Sequence, residues 1–190
     1  MIRDLFSTPV YCDQVGNFDE IQEEIKNCID ILDFELNDSW GTTHYLSKDM
    51  FNEHLFNKYN LKLLTKQIDY HLNEYALTIG FPMREYTYDS SWVSMFKKGN
   101  YGHIHNHGPV DIAGVYYYKT NGEDGNLFFD SPVPNMDTSL MFYPLADRVL
   151  FKPIEGRLLL FPGWLKHGIE TNDTDNTRIS LSFNIYFNHD

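Results

Sequence analysis

The chain has 190 residues, of which 42% are apolar and 16% aromatic, so it has enough apolar material to bury a core and is not expected to be disordered. Its formal net charge of −12 argues against non-specific nucleic-acid binding, because such binding requires Lys and Arg to neutralise phosphates. No apolar run is long enough for a transmembrane helix, and Cys12 and Cys28 lack the spacing of a CxxC motif. We therefore expect one cytoplasmic domain over residues 1–190, with free thiols and without membrane or nucleic-acid partners. The sequence leaves the oligomeric state open.

Two amphipathic helices are predicted in the first half of the chain. The first covers about residues 21–32, after a cap at Asn17 or Asp19, and the second covers about residues 56–79. The Gly80-Phe81-Pro82 sequence ends the second helix. Because the apolar positions of each helix form one stripe, we expect both helices to pack on the core as a scaffold.

The rest of the chain is predicted to form short strands separated by turns. The predicted strands cover residues 5–11 at a sheet edge, 91–96, the histidine-rich stretch from 102, 112–118, 126–130, 148–152, 156–161 and 178–187. Residues 34–45 and 131–144 are expected to be irregular, and the second of these segments is a candidate flap over a substrate. This order predicts a mainly β, α+β fold: an antiparallel sandwich or barrel over residues 86–187, with a helical scaffold over residues 17–80 on the outside.

The last predicted strand alternates between apolar and polar residues without a break. Its apolar face carries Ile179, Leu181, Phe183, Ile185 and Phe187, and its polar face carries Arg178, Ser180, Ser182, Asn184 and Tyr186. The apolar face is expected to pack on the helices. The polar face is either solvated or lines the inside of a barrel that holds a polar ligand. In the second case, Arg178 and Ser180 offer a guanidinium and a hydroxyl to one carboxylate.

Three histidines fall within five residues, at His103, His105 and His107. If this segment is extended, residues two apart share a face, so the three imidazoles point in the same direction. Neutral imidazole is the commonest metal-binding side chain near neutral pH, but a metal site still needs a ligand from another segment. The expected remote partner is His167, which follows the apolar strand 156–161 and a Pro-Gly turn.

Three motifs occur in order along the chain: HxH followed by GVYY, then EGRLLLFP with a distal histidine, then RxSxSFN. Together they resemble the 2-oxoglutarate/Fe(II)-dependent oxygenase superfamily, and most closely a group of uncharacterised bacterial and phage oxygenases. The similarity covers most of the chain from Ser91 to Asn184. It implies a double-stranded β-helix, that is, a jelly-roll or cupin-like barrel. It also implies a dioxygenase that uses Fe(II), 2-oxoglutarate and O2 to hydroxylate a protein side chain or a small metabolite.

The resemblance implies two sets of site residues. The implied metal ligands are His105, His107 and His167. The implied cosubstrate-binding residues are Arg178, Ser180 and Tyr117. The second ligand of this superfamily is usually Asp or Glu, so the histidine at this position departs from the common two-His-one-carboxylate site. Asp111 is the nearest carboxylate, and it remains an alternative second ligand.

The sequence also offers further candidates for the pocket lining and one alternative class of function. Candidates for lining the same pocket are Trp92, Ser94 and Met95. The histidines expected to be ordinary surface or core residues are His44, His54, His71 and His189. The competing function is a cupin-like metal-binding module, or a dioxygenase that does not use 2-oxoglutarate. The Arg178-x-Ser180 pair favours the 2-oxoglutarate-dependent oxygenase over these alternatives, because a structural metal site does not need residues that bind a carboxylate.

Overall fold

The structure is a computed structural model that describes residues 7–37, 43–48, 54–134, 138, 140–142, 144 and 148–188. The helices are α1 (Phe18–Ile29), α2 (Leu55–Lys58) and α3 (Lys62–Ile79). The strands are β1 (Tyr11–Gln14), β2 (Phe34–Asn37), β3 (His44–Ser47), β4 (Tyr86–Phe96), β5 (Gly102–His105), β6 (Ile112–Lys119), β7 (Leu127–Phe129), β8 (Val149–Phe151), β9 (Arg157–Pro162), β10 (His167–Ile169) and β11 (Arg178–Phe187).

The strands form two sheets that face each other. The larger sheet has the order β1-β9-β6-β11-β4-β3-β2, and the smaller sheet has the order β5-β10-β7-β8. All the pairs are antiparallel. Most neighbours within a sheet are distant along the chain, because the chain crosses repeatedly from one sheet to the other. This mainly β arrangement with few helices confirms the predicted fold, a double-stranded β-helix.

The centre of the larger sheet is β11, and its two faces serve different purposes. Its apolar residues Leu181, Phe183 and Ile185 are fully buried in a core that also contains Ile25, Leu64 and Ile68 from the helices. The apolar face therefore packs on the helices, as the alternation predicted. The opposite face of the strand is turned toward the smaller sheet and forms part of the interior between the sheets.

A carboxylate of α1 caps the N-terminus of α3. The Glu24 carboxylate of α1 accepts hydrogen bonds from the backbone N–H groups of Leu63 and Leu64, at 2.9 and 3.0 Å. These N–H groups lie in the first turn of α3, where no intrahelical acceptor exists for them. At the other end, Gly80 adopts a left-handed conformation (φ 74°) and ends α3, as predicted.

Two sequence-based predictions of secondary structure were wrong. The predicted helix over 56–79 is divided into α2 and α3, because Asn60 adopts a left-handed conformation (φ 56°) between them. The predicted irregular segment 34–45 contains β2 and the start of β3. The pairing of Tyr45 with Met95 and of Leu46 with Ser94 adds β3 to the larger sheet, and this tertiary pairing has no local sequence signal.

Other predictions fall wholly or partly outside the described residues. The first two residues of the candidate edge strand 5–11 lie outside the described residues, and the described strand β1 begins only at Tyr11. The candidate flap over 131–144 is described only in part. His189 also lies outside the described residues. Within the described part of the chain, no helix is long and apolar enough to cross a membrane.

Candidate metal centre and cosubstrate pocket

A cavity of about 830 Å³ lies between the two sheets. Strands from both sheets line it, so its wall is made of segments that are far apart along the chain. The histidines in this wall are His44, His54, His103, His105, His107 and His167. Trp92 and Ser94 also line the cavity, as expected, whereas Met95 points to the other face of β4 and packs against the outer core.

Three of these histidines form a cluster. His105 of β5 and His167 of β10 are direct partners across the strand pair, and their ring centroids are 4.4 Å apart. His107 lies just beyond β5, with ring centroids 5.3 Å from His105 and 5.1 Å from His167. One nitrogen from each ring lies within 4.8 Å of those of the other two. The structure thus brings together the three residues proposed as ligands.

The other candidates near this cluster are directed elsewhere. The Asp111 carboxylate accepts a hydrogen bond from the Phe187 backbone N–H at 2.9 Å, and Asp111 lines a separate cavity beside α3. His103 is exposed at the edge of the cavity, although its backbone carbonyl contacts His105. Asp111 is therefore not part of the histidine cluster.

The hydrogen bonds of the cluster determine which ring nitrogen is free. The Nδ1 atoms of His105 and His167 face the backbone oxygens of His103 and Leu165, at 2.8 and 2.9 Å. A carbonyl oxygen only accepts, so each Nδ1 carries the hydrogen and each Nε2 keeps a lone pair. The Nδ1 of His107 faces the Asn184 Oδ1 at 2.5 Å. Three lone pairs that converge in this way suit a divalent cation.

Burial keeps the three rings neutral. It lowers the pKa of His107 to about 4, where the neighbouring His105 adds to the shift and the hydrogen bond to Asn184 opposes it. It lowers the pKa of His167 to about 3, with smaller contributions from His105 and His107, and it also lowers the pKa of His105. At neutral pH the rings are therefore available as ligands without first losing a proton.

Arg178 is on the same face of β11 as the cavity-lining residue Ser182. It is not itself among the lining residues, and its Cζ lies 5.3 Å from the centre of the ring of Phe96, which does line the cavity. It is fully buried, its Nη1 donates to the Gly125 carbonyl at 2.7 Å, and its Cζ lies 4.9 Å from the centre of the Tyr117 ring. Ser180 pairs directly with Tyr117 across β11 and β6. The structure therefore brings together the three residues proposed to hold 2-oxoglutarate, and Ser182 of the cavity wall is the next residue on the same face of β11.

The surroundings of Arg178 contain several buried polar atoms that lack partners in the described structure. Among the described residues, no partner is found for Arg178 Nε and Nη2, the Ser180 Oγ and the Tyr117 hydroxyl. An unpaired buried polar atom costs about 1–3 kcal/mol, so a cluster of them is unfavourable unless a ligand satisfies it. Burial lowers the pKa of Arg178, while Tyr117 and Asp124 oppose the shift. A cationic fork and two hydroxyl groups suit a carboxylate.

Sequence reasoning missed the contributions of Asn184 and His44. Asn184 was placed on the polar face of the last strand, but its contact with His107 depends on the packing of distant segments. His44 was expected to be ordinary, yet it lines the cavity, stacks on Phe96 with ring centroids 4.5 Å apart, and leaves its Nδ1 without a partner in the described structure. No local pattern around either residue indicates these contacts.

The fold and the site together define a double-stranded β-helix protein with a cluster of three histidines and a buried guanidinium that lacks partners for two of its nitrogens. The family model described as "Putative 2OG-Fe(II) oxygenase" matches residues 90–184, which is half of the chain. The chain belongs to this family of 2-oxoglutarate- and Fe(II)-dependent oxygenases. Its cofactor and cosubstrates are accordingly Fe(II), 2-oxoglutarate and O2, and the residues described above fit both the metal and the dicarboxylate. No curated protein matches the chain.

Several solved structures share the fold. A prolyl-4-hydroxylase from Pseudomonas putida is 12% identical with a TM-score of 0.64, and the match covers 96% of this chain and 95% of that one. A prolyl hydroxylase from Trichoplax adhaerens, in complex with a peptide of hypoxia inducible factor, is 14% identical with a TM-score of 0.66, covering 95% and 84%. HygX from Streptomyces hygroscopicus, with nickel and 2-oxoglutarate bound, is 12% identical with a TM-score of 0.64, covering 94% and 82%. At these identities the similarity concerns the fold.

Proposed function

We propose that His105, His107 and His167 hold the Fe(II) of this oxygenase. The observation that carries the proposal is the convergence of three imidazole nitrogens in the cavity wall, on the side of β11 that also carries a buried, unsatisfied guanidinium. Three protein ligands leave further coordination positions for a chelating cosubstrate and O2. His107 takes the position at which the superfamily usually has a carboxylate, so the protein ligands add no negative charge.

Arg178, Ser180 and Tyr117 bind the far carboxylate of 2-oxoglutarate. The guanidinium offers Nε and Nη2, since Nη1 is already engaged with Gly125, and the two hydroxyl groups complete the pocket. Arg178 is fully buried, so its attraction for the carboxylate is weakly screened by solvent. Binding of the far carboxylate there leaves the keto acid end of the cosubstrate free to chelate the metal.

The reaction is the hydroxylation of an unidentified substrate. Bound Fe(II) supplies the oxygen chemistry: a C–H bond, 2-oxoglutarate and O2 are converted to C–OH, succinate and CO2, with one oxygen atom in the alcohol and the other in succinate. The protein contributes the ligand geometry, the cosubstrate clamp and a cavity that limits the access of water. The helices pack on the sheet that carries the site, which supports treating residues 1–190 as one domain.

The prime substrate is a protein side chain or a small metabolite. Structures with this fold include prolyl hydroxylases, and HygX was also solved with hygromycin B bound, so the fold accommodates both kinds of molecule. The cavity of about 830 Å³ is large enough for the cosubstrate and one further group of side-chain or metabolite size.

The test measures Fe(II) binding under argon and succinate formation after O2 is admitted, with 2-oxoglutarate present. We expect the wild-type protein to bind Fe(II) and to form succinate slowly without a prime substrate. His105→Gln and His167→Gln should abolish both, whereas His103→Gln, which changes the exposed histidine of the same strand, should abolish neither. Metal binding without any binding or turnover of 2-oxoglutarate would instead indicate a cupin-like module.

A further inference from the structure

We propose that Asn184 is a positioning residue that makes His107 a metal ligand, by holding its imidazole in the form with hydrogen on Nδ1. The inference rests on the proposed function, because it assumes that His107 binds the metal. It concerns the position at which this chain has histidine in place of the usual carboxylate. An imidazole differs from a carboxylate in that one of its two tautomers offers no lone pair to the ion.

His107 differs from the other two cluster histidines in its hydrogen-bond acceptor. His105 and His167 each face the backbone carbonyl of the residue two positions earlier in their own segment. His107 instead faces a side chain, the amide of Asn184, which lies 77 residues further along the chain in β11. The orientation of this third ring therefore depends on the packing of β11 against the histidine segment.

The Asn184 amide also has a hydrogen-bond partner on its other side, Ser90. Ser90 and Asn184 are direct partners across β4 and β11, and Asn184 Nδ2 donates to the Ser90 Oγ at 3.0 Å. In the structure the amide oxygen faces His107, at 2.5 Å from its Nδ1. Because this oxygen has no hydrogen, the ring must donate, and the lone pair lies on Nε2.

The other contacts of His107 do not select a tautomer. The Trp92 ring stacks on the imidazole with centroids 5.9 Å apart and an angle of 29° between the planes, which restrains the tilt of the ring. The backbone N–H of His107 donates to the Gly163 carbonyl at 2.8 Å, which fixes the main chain. Neither contact distinguishes Nδ1 from Nε2. Loss of the Asn184 oxygen therefore leaves His107 in place but free to carry its hydrogen on Nε2, facing the ion.

The first test uses the metal-free protein, so that it does not depend on enzyme activity. Long-range proton–nitrogen NMR on ¹⁵N-histidine-labelled protein identifies which nitrogen carries hydrogen, and His107→Gln assigns the signals. We expect the Nδ1-protonated form of His107 in the wild type and a mixture of tautomers in Asn184→Ala. A wild-type His107 with its hydrogen on Nε2 would overturn the inference.

The second test compares Fe(II) affinity under argon in two variants. Asn184→Ala should bind Fe(II) about 10–100-fold more weakly, the usual effect of removing a partner of a ligating histidine. Asn184→Asp retains an acceptor oxygen in a side chain of similar size, so its Fe(II) affinity should equal or exceed that of the wild type. Ser182→Ala changes the same face of β11 without contacting the ring, and it should leave the affinity unchanged.

The results separate the inference from the proposed function and from a packing role. If Asn184→Ala and Asn184→Asp weaken Fe(II) binding equally, Asn184 acts through packing. If Asn184→Ala leaves the Fe(II) affinity unchanged, Asn184 has no role in metal binding. Either result overturns the inference. If His107→Gln binds Fe(II) as tightly as the wild type, His107 is not a metal ligand, and it is the proposed function that fails at this residue. Thermal unfolding of each metal-free variant verifies that the compared proteins are folded.

Discussion

His105 and His167 lie directly opposite each other across the β5–β10 pair, with ring centroids 4.4 Å apart. Directly opposite residues of an antiparallel pair share one face of the sheet, so their side chains meet. A slip of one residue in this pairing would turn one imidazole to the other face. The second neighbour of β10 is β7, where His167 lies opposite Phe129, so the strand is held from both sides. The register of the smaller sheet thus brings together two of the three proposed metal ligands.

Arg178→Lys should weaken 2-oxoglutarate binding about 10–100-fold, because a hydrogen bond to a charged group contributes about 1.5–3 kcal/mol and an ammonium does not reproduce the guanidinium fork. The measurement is the Kd of 2-oxoglutarate for the Fe(II)-loaded protein under argon. Arg157→Lys, the same change at the start of β9, is the control and should leave this Kd unchanged. An unaltered Kd in Arg178→Lys would remove Arg178 from the cosubstrate pocket.

Tyr117→Phe should affect stability and ligand affinity in opposite directions. The hydroxyl is buried and unpartnered in the described structure, so its removal should leave the free energy of unfolding of the cosubstrate-free protein unchanged or higher. The same change should weaken 2-oxoglutarate binding about tenfold, because a hydrogen bond to a carboxylate is lost. Chemical denaturation and the Kd of 2-oxoglutarate measure the two effects.

Tyr116→Phe is the matched control for this prediction. The Tyr116 hydroxyl is likewise buried and unpartnered, but the side chain lies on the opposite face of β6, in the core beneath the helices. This variant should resemble Tyr117→Phe in stability and the wild type in 2-oxoglutarate affinity. Equal affinities in the two variants would contradict a role for the Tyr117 hydroxyl in the pocket.

His44 should make the metal-free protein less stable in mild acid. Burial is the main cause that lowers the pKa of His44 from 6.5 to about 4, and the charges of His105 and Arg178 lower it further, against a hydrogen bond to the Tyr101 backbone. A lowered pKa means that the unfolded chain binds the proton first, so the contribution is complete above pH 6.5 and is lost as the pH falls toward 4.

The measurement compares the free energy of unfolding at pH 7 and pH 5 in the wild type and in His44→Gln. The wild type should lose about 2 kcal/mol more than the variant over this interval, since each pKa unit corresponds to about 1.4 kcal/mol. The cluster histidines titrate in both proteins, so their own contribution cancels, and the difference contains the proton uptake of His44 together with its coupling to His105. Identical losses would show that His44 remains solvated or partnered in the folded protein.

Gly114→Ala should destabilise the fold by about 1–3 kcal/mol through overpacking. A Cβ atom at this position would overlap the ring of Phe183, which is fully buried between β11 and the helices. Gly16→Ala is the control, because its Cβ would meet the flexible side chain of Gln67 at 3.3 Å. Chemical denaturation should show a change within about 0.5 kcal/mol for the control. A stable Gly114→Ala variant would mean that the Phe183 ring moves without loss of packing.

Much of the fold could be predicted where the local pattern was strong. The unbroken alternation over Arg178–Phe187 predicted the strand, its bounds and the division between an apolar and a polar face. The β3 segment was missed, because His44, Leu46 and Ser47 are buried through pairing with β4 rather than through a recognisable local pattern. The break at Asn60 was missed because the apolar stripe continues on both sides of it.

By itself, the sequence determined which side chains are the candidates for the metal and cosubstrate sites. Spacing placed His105 and His107 in one segment, and alternation placed Arg178 and Ser180 on one strand face, because side-chain direction follows directly from backbone period. Tertiary structure decided which of these groups meet. The approach of Asn184 to His107 and of Tyr117 to Arg178 joins segments that are far apart along the chain. Such contacts are set by the packing of the whole core, which no local pattern contains.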